Sequence, residues 1–165
     1  MHTAKHISKL IQGRWYTSGF SLIELVLVLA IISVLAAIAV PKYANSLARY
    51  RADAAARRMA ADLNYARQHA RSTSASVTVW VRPSNNNVKI IDVPDPDQPA
   101  SLHTTTPLAD APYHAEIVSS DFGGDVLIIF DGYGYPDSGG SAVVTVGAES
   151  RTVVLNPDSG KAVVQ

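Results

Sequence analysis

Residues Leu25 to Val40 read LVLVLAIISVLAAIAV, 16 residues with one serine and no charge. Extended back to Phe20 the run has 21 residues, and Glu24 is its only charged group. As a helix rising about 1.5 Å per residue it would reach roughly 31 Å, the thickness of a bilayer's hydrocarbon. The chain has 165 residues, enough for one ordinary domain. A core of that size does not normally spend such a run on one buried helix, so the run is read as a membrane helix. Lys5, Lys9 and Arg14 precede it, with no acid before Glu24. The positive-inside rule then puts the N-terminal end in the cytoplasm and everything after Val40 outside.

An ordinary secretory signal has a shorter apolar core followed by a small-residue cleavage site. Ala36-Ala37-Ile38-Ala39 could mimic that site. The length of the run argues against it, and the pattern does not stop at Pro41. The polar-to-apolar break also lies ahead of the run, at Gly19-Phe20, rather than behind it.

The segment Ser18-Gly19-Phe20-Ser21-Leu22-Ile23-Glu24-Leu25, followed by the apolar run and Pro41, resembles the class III signal of type IV pilins and type II secretion pseudopilins. The resemblance implies that a prepilin peptidase cuts after Gly19 on the cytoplasmic face and that the new N-terminus, Phe20, is N-methylated. Glu24 would be the fifth residue after the cut and Pro41 the twenty-second, as in that family. The physical chemistry agrees. Gly19 has no side chain, which suits a narrow protease subsite. A carboxylate in the apolar run costs roughly 2.5–3.5 kcal/mol on insertion scales, and intramembrane acids usually pair. The natural partner of Glu24 is the freed amino group of Phe20 on a neighbouring subunit; the plainer reading is a carboxylate that snorkels to the headgroups. Pro41 lacks a backbone donor and is expected to kink or locally melt the helix.

Lys42 to Arg71 continue as an amphipathic helix. Ala44, Leu47, Ala48, Ala55, Met59, Leu63, Ala66 and Ala70 recur at steps of three and four, and no Gly or Pro interrupts them. After Ser72 the period becomes two. Val77, Val79 and Val81 alternate with polar or amphipathic residues, Asn85-Asn86-Asn87 reads as a turn, and Val88 to Val93 closes a hairpin. Pro94 to Pro112 is expected to be a surface loop with at most short strands. Further strands are expected over Ala115–Val118, Val126–Phe130, Ser141–Val146, Thr152–Leu155 and Ala162–Val164, with a tight turn over Asp131–Gly140. The expected fold class is α+β: a long N-terminal helix, membrane-spanning then amphipathic, packed on an antiparallel β-sheet head of one sheet or two small ones. The expected domains are a leader over 1–19, a membrane and polymerisation helix over 20–41, an amphipathic stem over 42–74 and a β-rich head over 75–165.

The head has its own likeness. A strand ending in Phe130, a Gly-rich turn, a strand of alternating valines, then Arg151-Thr152-Val153-Val154-Leu155 and a closing Gly160-Lys161-Ala162-Val163-Val164 resemble the GspH/FimT domain. That domain occurs in minor pseudopilins of type II secretion and in FimT-type minor pilins, and the resemblance implies a pilin fold. The chain departs from FimT-like members in having no cysteine pair and in ending with Lys161 alone rather than an arginine cluster.

Catalytic chemistry finds little support. The chain has no cysteine, which excludes disulfides, Cys-ligated metal and a thiol nucleophile. His2, His6, His69, His103 and His114 show no metal-ligand spacing, no serine sits in a nucleophile elbow, and no Gly-rich loop joins a strand to a helix. Asp131 and Asp137 in the Gly-rich turn are the one weak calcium candidate, although turns favour Asp and Gly for conformational reasons alone. The formal net charge is zero, but unevenly placed. Residues 42–82 carry 8 basic and 2 acidic groups, and residues 83–165 carry 3 basic and 11 acidic groups. An acidic head disfavours nucleic acid as a partner. It suggests that the basic stem of one subunit meets the acidic head of another.

The resulting expectation is a non-enzymatic structural subunit without a cofactor, anchored in a bacterial inner membrane with its N-terminus cytoplasmic and its head periplasmic. Its partners would be the prepilin peptidase and other pseudopilins or pilins. The first reading is a minor pseudopilin of a type II secretion pseudopilus, supporting export of folded proteins. The alternative is a FimT-like minor pilin of a type IV pilus, serving adhesion, motility or DNA uptake.

Overall fold

The structure, a computed structural model, describes residues 19–95, 98 and 100–165. Helix α1 spans Leu22–Thr73, 52 residues. Its start follows from Ser21, whose carbonyl accepts the Leu25 N–H at 3.1 Å. Ser21 and Glu24 have the spacing of a capping box, a signal easily lost inside a membrane-like run. Glu24 in the first turn and Arg71 in the last both complement the helix dipole. The helix stops at Ser74, whose φ of 53° is left-handed. Ala75 N–H then closes back on the Ala70 carbonyl at 3.2 Å, the six-to-one bond of a Schellman motif. Pro41 lies inside the helix and leaves its fourth-preceding carbonyl without a helical donor.

Contacts divide the chain into two units that meet between Val40 and Pro41. Within the first, the large apolar side chains from Leu22 to Val40 are all exposed. The second unit, from Pro41 on, holds the core. Its helical share is buried along Ala52, Ala55, Ala56, Met59, Ala60, Leu63, Ala66 and Ala70. Packing begins later than the apolar stripe predicts: Ala44 is exposed, and Leu47 and Ala48 are only half-buried. Alanine dominates this face, so the helix backbone can approach the strands closely.

Among the described residues eight strands follow: β1 Val77–Arg82, β2 Asn87–Ile90, β3 Thr104–Pro107, β4 Glu116–Asp121, β5 Leu127–Phe130, β6 Gly140–Val146, β7 Glu149–Leu155 and β8 Ala162–Val164. They form two four-stranded antiparallel sheets, ordered β3-β2-β1-β5 and β4-β6-β7-β8. The β1–β2 hairpin is the expected one, with a short 3-10 turn at Pro83–Asn85 and Asn86 in the left-handed region. Among its described residues the proline-rich loop carries one short strand, β3. The fourth strand runs later than expected, because a bulge between Ile117 and Ser119 throws Val118 to solvent and the ladder resumes to Asp121.

Period two explains which residues face inward. Val77, Val79 and Val81 of β1 join Val88, Ile90, Ile128 and Phe130 of the first sheet. Ile117, Ala142, Val144, Val153, Leu155 and Ala162 come from the second. Both sets, with the helix face, form one apolar cluster.

Candidate functional site

Gly19 and Phe20 lie immediately ahead of α1, both exposed. A Cβ built on Gly19 would meet no atom within 4 Å. The fold itself therefore has no use for glycine at this position. Phe20 is 78% exposed. Glu24 sits in the first turn, flanked by exposed Ile23 and Leu25. Ser33, the polar residue of the run, donates its hydroxyl to the Leu29 carbonyl at 2.7 Å, so its hydrogen-bonding need is met within the helix. What remains along Leu22–Val40 is an apolar surface with one carboxylate at its N-terminal end. Such a surface is stable only in lipid or against similar helices. Ser18, the upstream basic residues, His2 and His6 lie outside the described residues.

The two aspartates considered for calcium have structural work. Asp131 Oδ1 accepts the N–H groups of Tyr133 (2.9 Å) and Tyr135 (2.8 Å). Asp137 Oδ1 accepts the Ile129 N–H at 3.0 Å, while its own N–H donates to the Ile129 carbonyl at 2.9 Å. Their carboxylates thus shape the turn after β5 and cover part of that strand's edge. Among the described residues no group of three or more His, Asp or Glu is placed to hold a metal. His69 packs its ring against Tyr65, and His103 Nδ1 accepts the Asp92 N–H. His114 adopts a left-handed φ of 50° just before β4.

Arg49, Arg57 and Arg58 of the basic stem are engaged within the chain. Arg49 lies 3.4 Å from Glu149 on β7. Arg151, also on β7, lies 3.6 Å from Asp53 and 3.8 Å from Glu149, and Arg57 pairs with Asp53 at 2.9 Å. Arg58 pairs with Asp62 at 3.1 Å and donates to the Thr106 hydroxyl at 3.3 Å. Asp62 is buried on the inner face, and burial pushes its carboxyl above the usual aspartate range, with Thr106 and Arg58 pulling it partly back. Neither Asp62 nor Asn64 stood out in the sequence. Both occupy polar positions beside the apolar stripe, and only the packing of β3 and β8 against them reveals their partners.

The family model described as type II transport protein GspH matches residues 55–159. The chain belongs to the GspH family. A second model, the prokaryotic N-terminal methylation motif, matches residues 16–40 of this GspH-family chain, a stretch that includes Gly19, Phe20 and Glu24. No curated protein matches the sequence. Two crystal structures of the type IV minor pilin FimU from Pseudomonas aeruginosa share the fold of this GspH-family chain. One superposes with a TM-score of 0.54 at 14% identity, over 71% of this chain and 90% of that one. The other gives 0.51 at 13% identity, over 68% and 91%. The chain is thus a pilin-like subunit of the type II secretion or type IV pilus kind, with a pilin fold and an N-terminal methylation motif on an apolar helix.

Proposed function

We propose that this chain is a minor pseudopilin of type II secretion. A prepilin peptidase cleaves it after Gly19 and Phe20 is N-methylated. The apolar half of α1 holds it in the inner membrane, with the N-terminus cytoplasmic and the head periplasmic. It then joins other pseudopilins in a filament that supports export of folded proteins. The observation that carries this reading is the wholly exposed apolar surface from Leu22 to Val40 with Glu24 one turn from Phe20. Side-by-side packing of such helices removes the apolar surface from water or lipid. A buried carboxylate in that packing needs a cation, and the freed amino group of Phe20 on an adjacent subunit is one that processing itself creates. Gly19 supports the same reading, because nothing in its surroundings requires it to be small. No enzymatic step is assigned. The head acts through its surface, and its acidic balance favours protein over nucleic-acid partners.

The test is the culture-supernatant proteome of a deletion strain against its complemented parent. Loss of a set of signal-peptide-bearing exoproteins, with their accumulation in the periplasm, supports type II secretion. An unchanged supernatant overturns it and moves the chain to the FimT-like pilus reading, scored by surface pili and transformation.

A further inference from the structure

The turn Asp131–Pro136 presents two tyrosines that the core does not use. Tyr133 is 80% exposed and Tyr135 54%. Exposed aromatics on a loose loop would mean little, but this turn is held from three sides. Asp131 Oδ1 takes both tyrosine N–H groups. Gly132 lies so close to the helix end that a Cβ there would stand 2.8 Å from the Ser74 carbonyl carbon and oxygen. Gly134, at φ +83°, rests on the side-chain carbons of Arg71 and Arg67. The backbone that carries both tyrosines is therefore held at the rim of a cleft of about 620 Å³, lined by Arg71, Ser74, Asp131, Gly132, Tyr133 and Tyr135.

The volume falls within the range of small-molecule sites, which combine aromatic walls with a few placed polar groups. The charges in the cleft oppose one another, one guanidinium and one carboxylate, so a bare ion of either sign is disfavoured. The remaining polar groups are hydroxyls. A fork of guanidinium donors, a carboxylate acceptor, a serine hydroxyl and two phenols suit a ligand dense in hydroxyls with an apolar ring face to lay on tyrosine. We propose that this cleft is a binding site for a neutral saccharide unit. The proposal goes beyond the secretion reading and does not depend on which filament the subunit enters. A concave, charge-balanced cleft favours this ligand over the flatter surface of a neighbouring subunit.

The test uses the full-length protein in a phosphocholine detergent, since glucoside and maltoside detergents would compete. Saturation-transfer difference NMR is run with the methyl glycosides of glucose, galactose, mannose and N-acetylglucosamine. For ligands of this size a dissociation constant of about 1 mM is expected. Tyr133→Ala and Tyr135→Ala should each weaken binding at least about tenfold, the loss expected when an anchoring ring is removed. Melting temperature should stay unchanged, because both side chains are exposed. Trp80→Ala, on a separate exposed face, should leave binding intact. No transfer from any of the four glycosides overturns the proposal, as does transfer that survives both tyrosine substitutions. If the tyrosine variants lose a co-purifying filament subunit while no glycoside binds, the cleft is a protein interface and the proposal fails.

Discussion

Asn64 on the helix holds Ala162 on the last strand by both ends of its amide. Nδ2 donates to the Ala162 carbonyl at 3.0 Å, and Oδ1 accepts the Ala162 N–H at 3.1 Å. The side chain stands where the next strand's backbone would, so it caps the edge of the second sheet as well as pinning it to α1. Asn64→Ala should lower the unfolding free energy by about 2 kcal/mol, since it leaves one donor and one acceptor unpaired. Asn64→Asp keeps only the acceptor and should fall between. Denaturant melts and faster hydrogen exchange at the Ala162 amide would check both.

Asp62 makes stability pH-dependent. Burial raises its carboxyl above the usual aspartate range, so the folded state holds this proton more tightly than the unfolded state. Stability from this group is therefore greatest at acid pH and declines as pH rises from the ordinary aspartate range through the elevated folded value, then levels off. Asp62→Asn should remove that component of the slope. Arg58→Met should lower stability at neutral pH by about 3 kcal/mol, because it strips a buried carboxylate of its cation. Melting temperature against pH for the three proteins gives the answer, and parallel curves for wild type and Asp62→Asn would refute it.

Gly140 begins β6 where the backbone of Asp121 and Phe122 passes closest. A Cβ there would strike the Asp121 carbonyl oxygen, with Phe122 Cα 2.6 Å away. Both obstacles include backbone, so no rotamer change relieves them. Gly140→Ala should cost about 3 kcal/mol, the upper end for overpacking, and should weaken the β4–β6 pairing first. Protease nicking between Asp121 and Gly140 reports that loosening.

Asp131 is expected to act as a turn acceptor rather than a metal ligand. Asp131→Asn keeps an acceptor oxygen and should stay within about 0.5 kcal/mol of wild type, while Asp131→Ala should lose about 1.5 kcal/mol. Calcium present at a hundred times a site's dissociation constant would add about 2.7 kcal/mol. No rise in melting temperature with calcium is the expected result, and a clear rise abolished by Asp131→Asn would restore the calcium reading.

Two substitutions separate processing from assembly. Gly19→Val should leave the full-length precursor uncleaved in the membrane, seen as a larger band in inner-membrane fractions. Glu24→Val should be cleaved as before but enter filaments poorly. Normal incorporation of the Glu24 variant into sheared filaments would show that the carboxylate does not need the Phe20 amine.

The apolar run, the amphipathic stem and the alternating valines were legible in sequence because each follows from local periodicity. The division of the strands between two sheets was not. Val126 to Phe130 reads the same whether it pairs with Val77–Arg82, as it does through Val79 and Ile128, or with its neighbour in sequence. The stem's pairings were only partly legible: Arg57–Asp53 and Arg58–Asp62 follow from their four-residue spacing, whereas Arg49–Glu149 needs the fold to bring β7 to the helix. Of the candidate site, Gly19, Phe20 and Glu24 were visible because a linear motif holds them. Ser74, Arg71 and the tyrosine pair form a cleft only after the helix end meets the turn.

The chain alternates between its sheets: β1 to β3 build the first, β4 the second, β5 returns to the first, and β6 to β8 finish the second. The first sheet closes only after β4 of the second has been laid down, and the second closes last. Both sheets and the helix face share one apolar cluster, so the unit from Pro41 on should melt in a single cooperative step. The head's surface is therefore finished only when β8 pairs with β7, so a chain cut short before Ala162 should leave the β7 edge open to any strand that meets it.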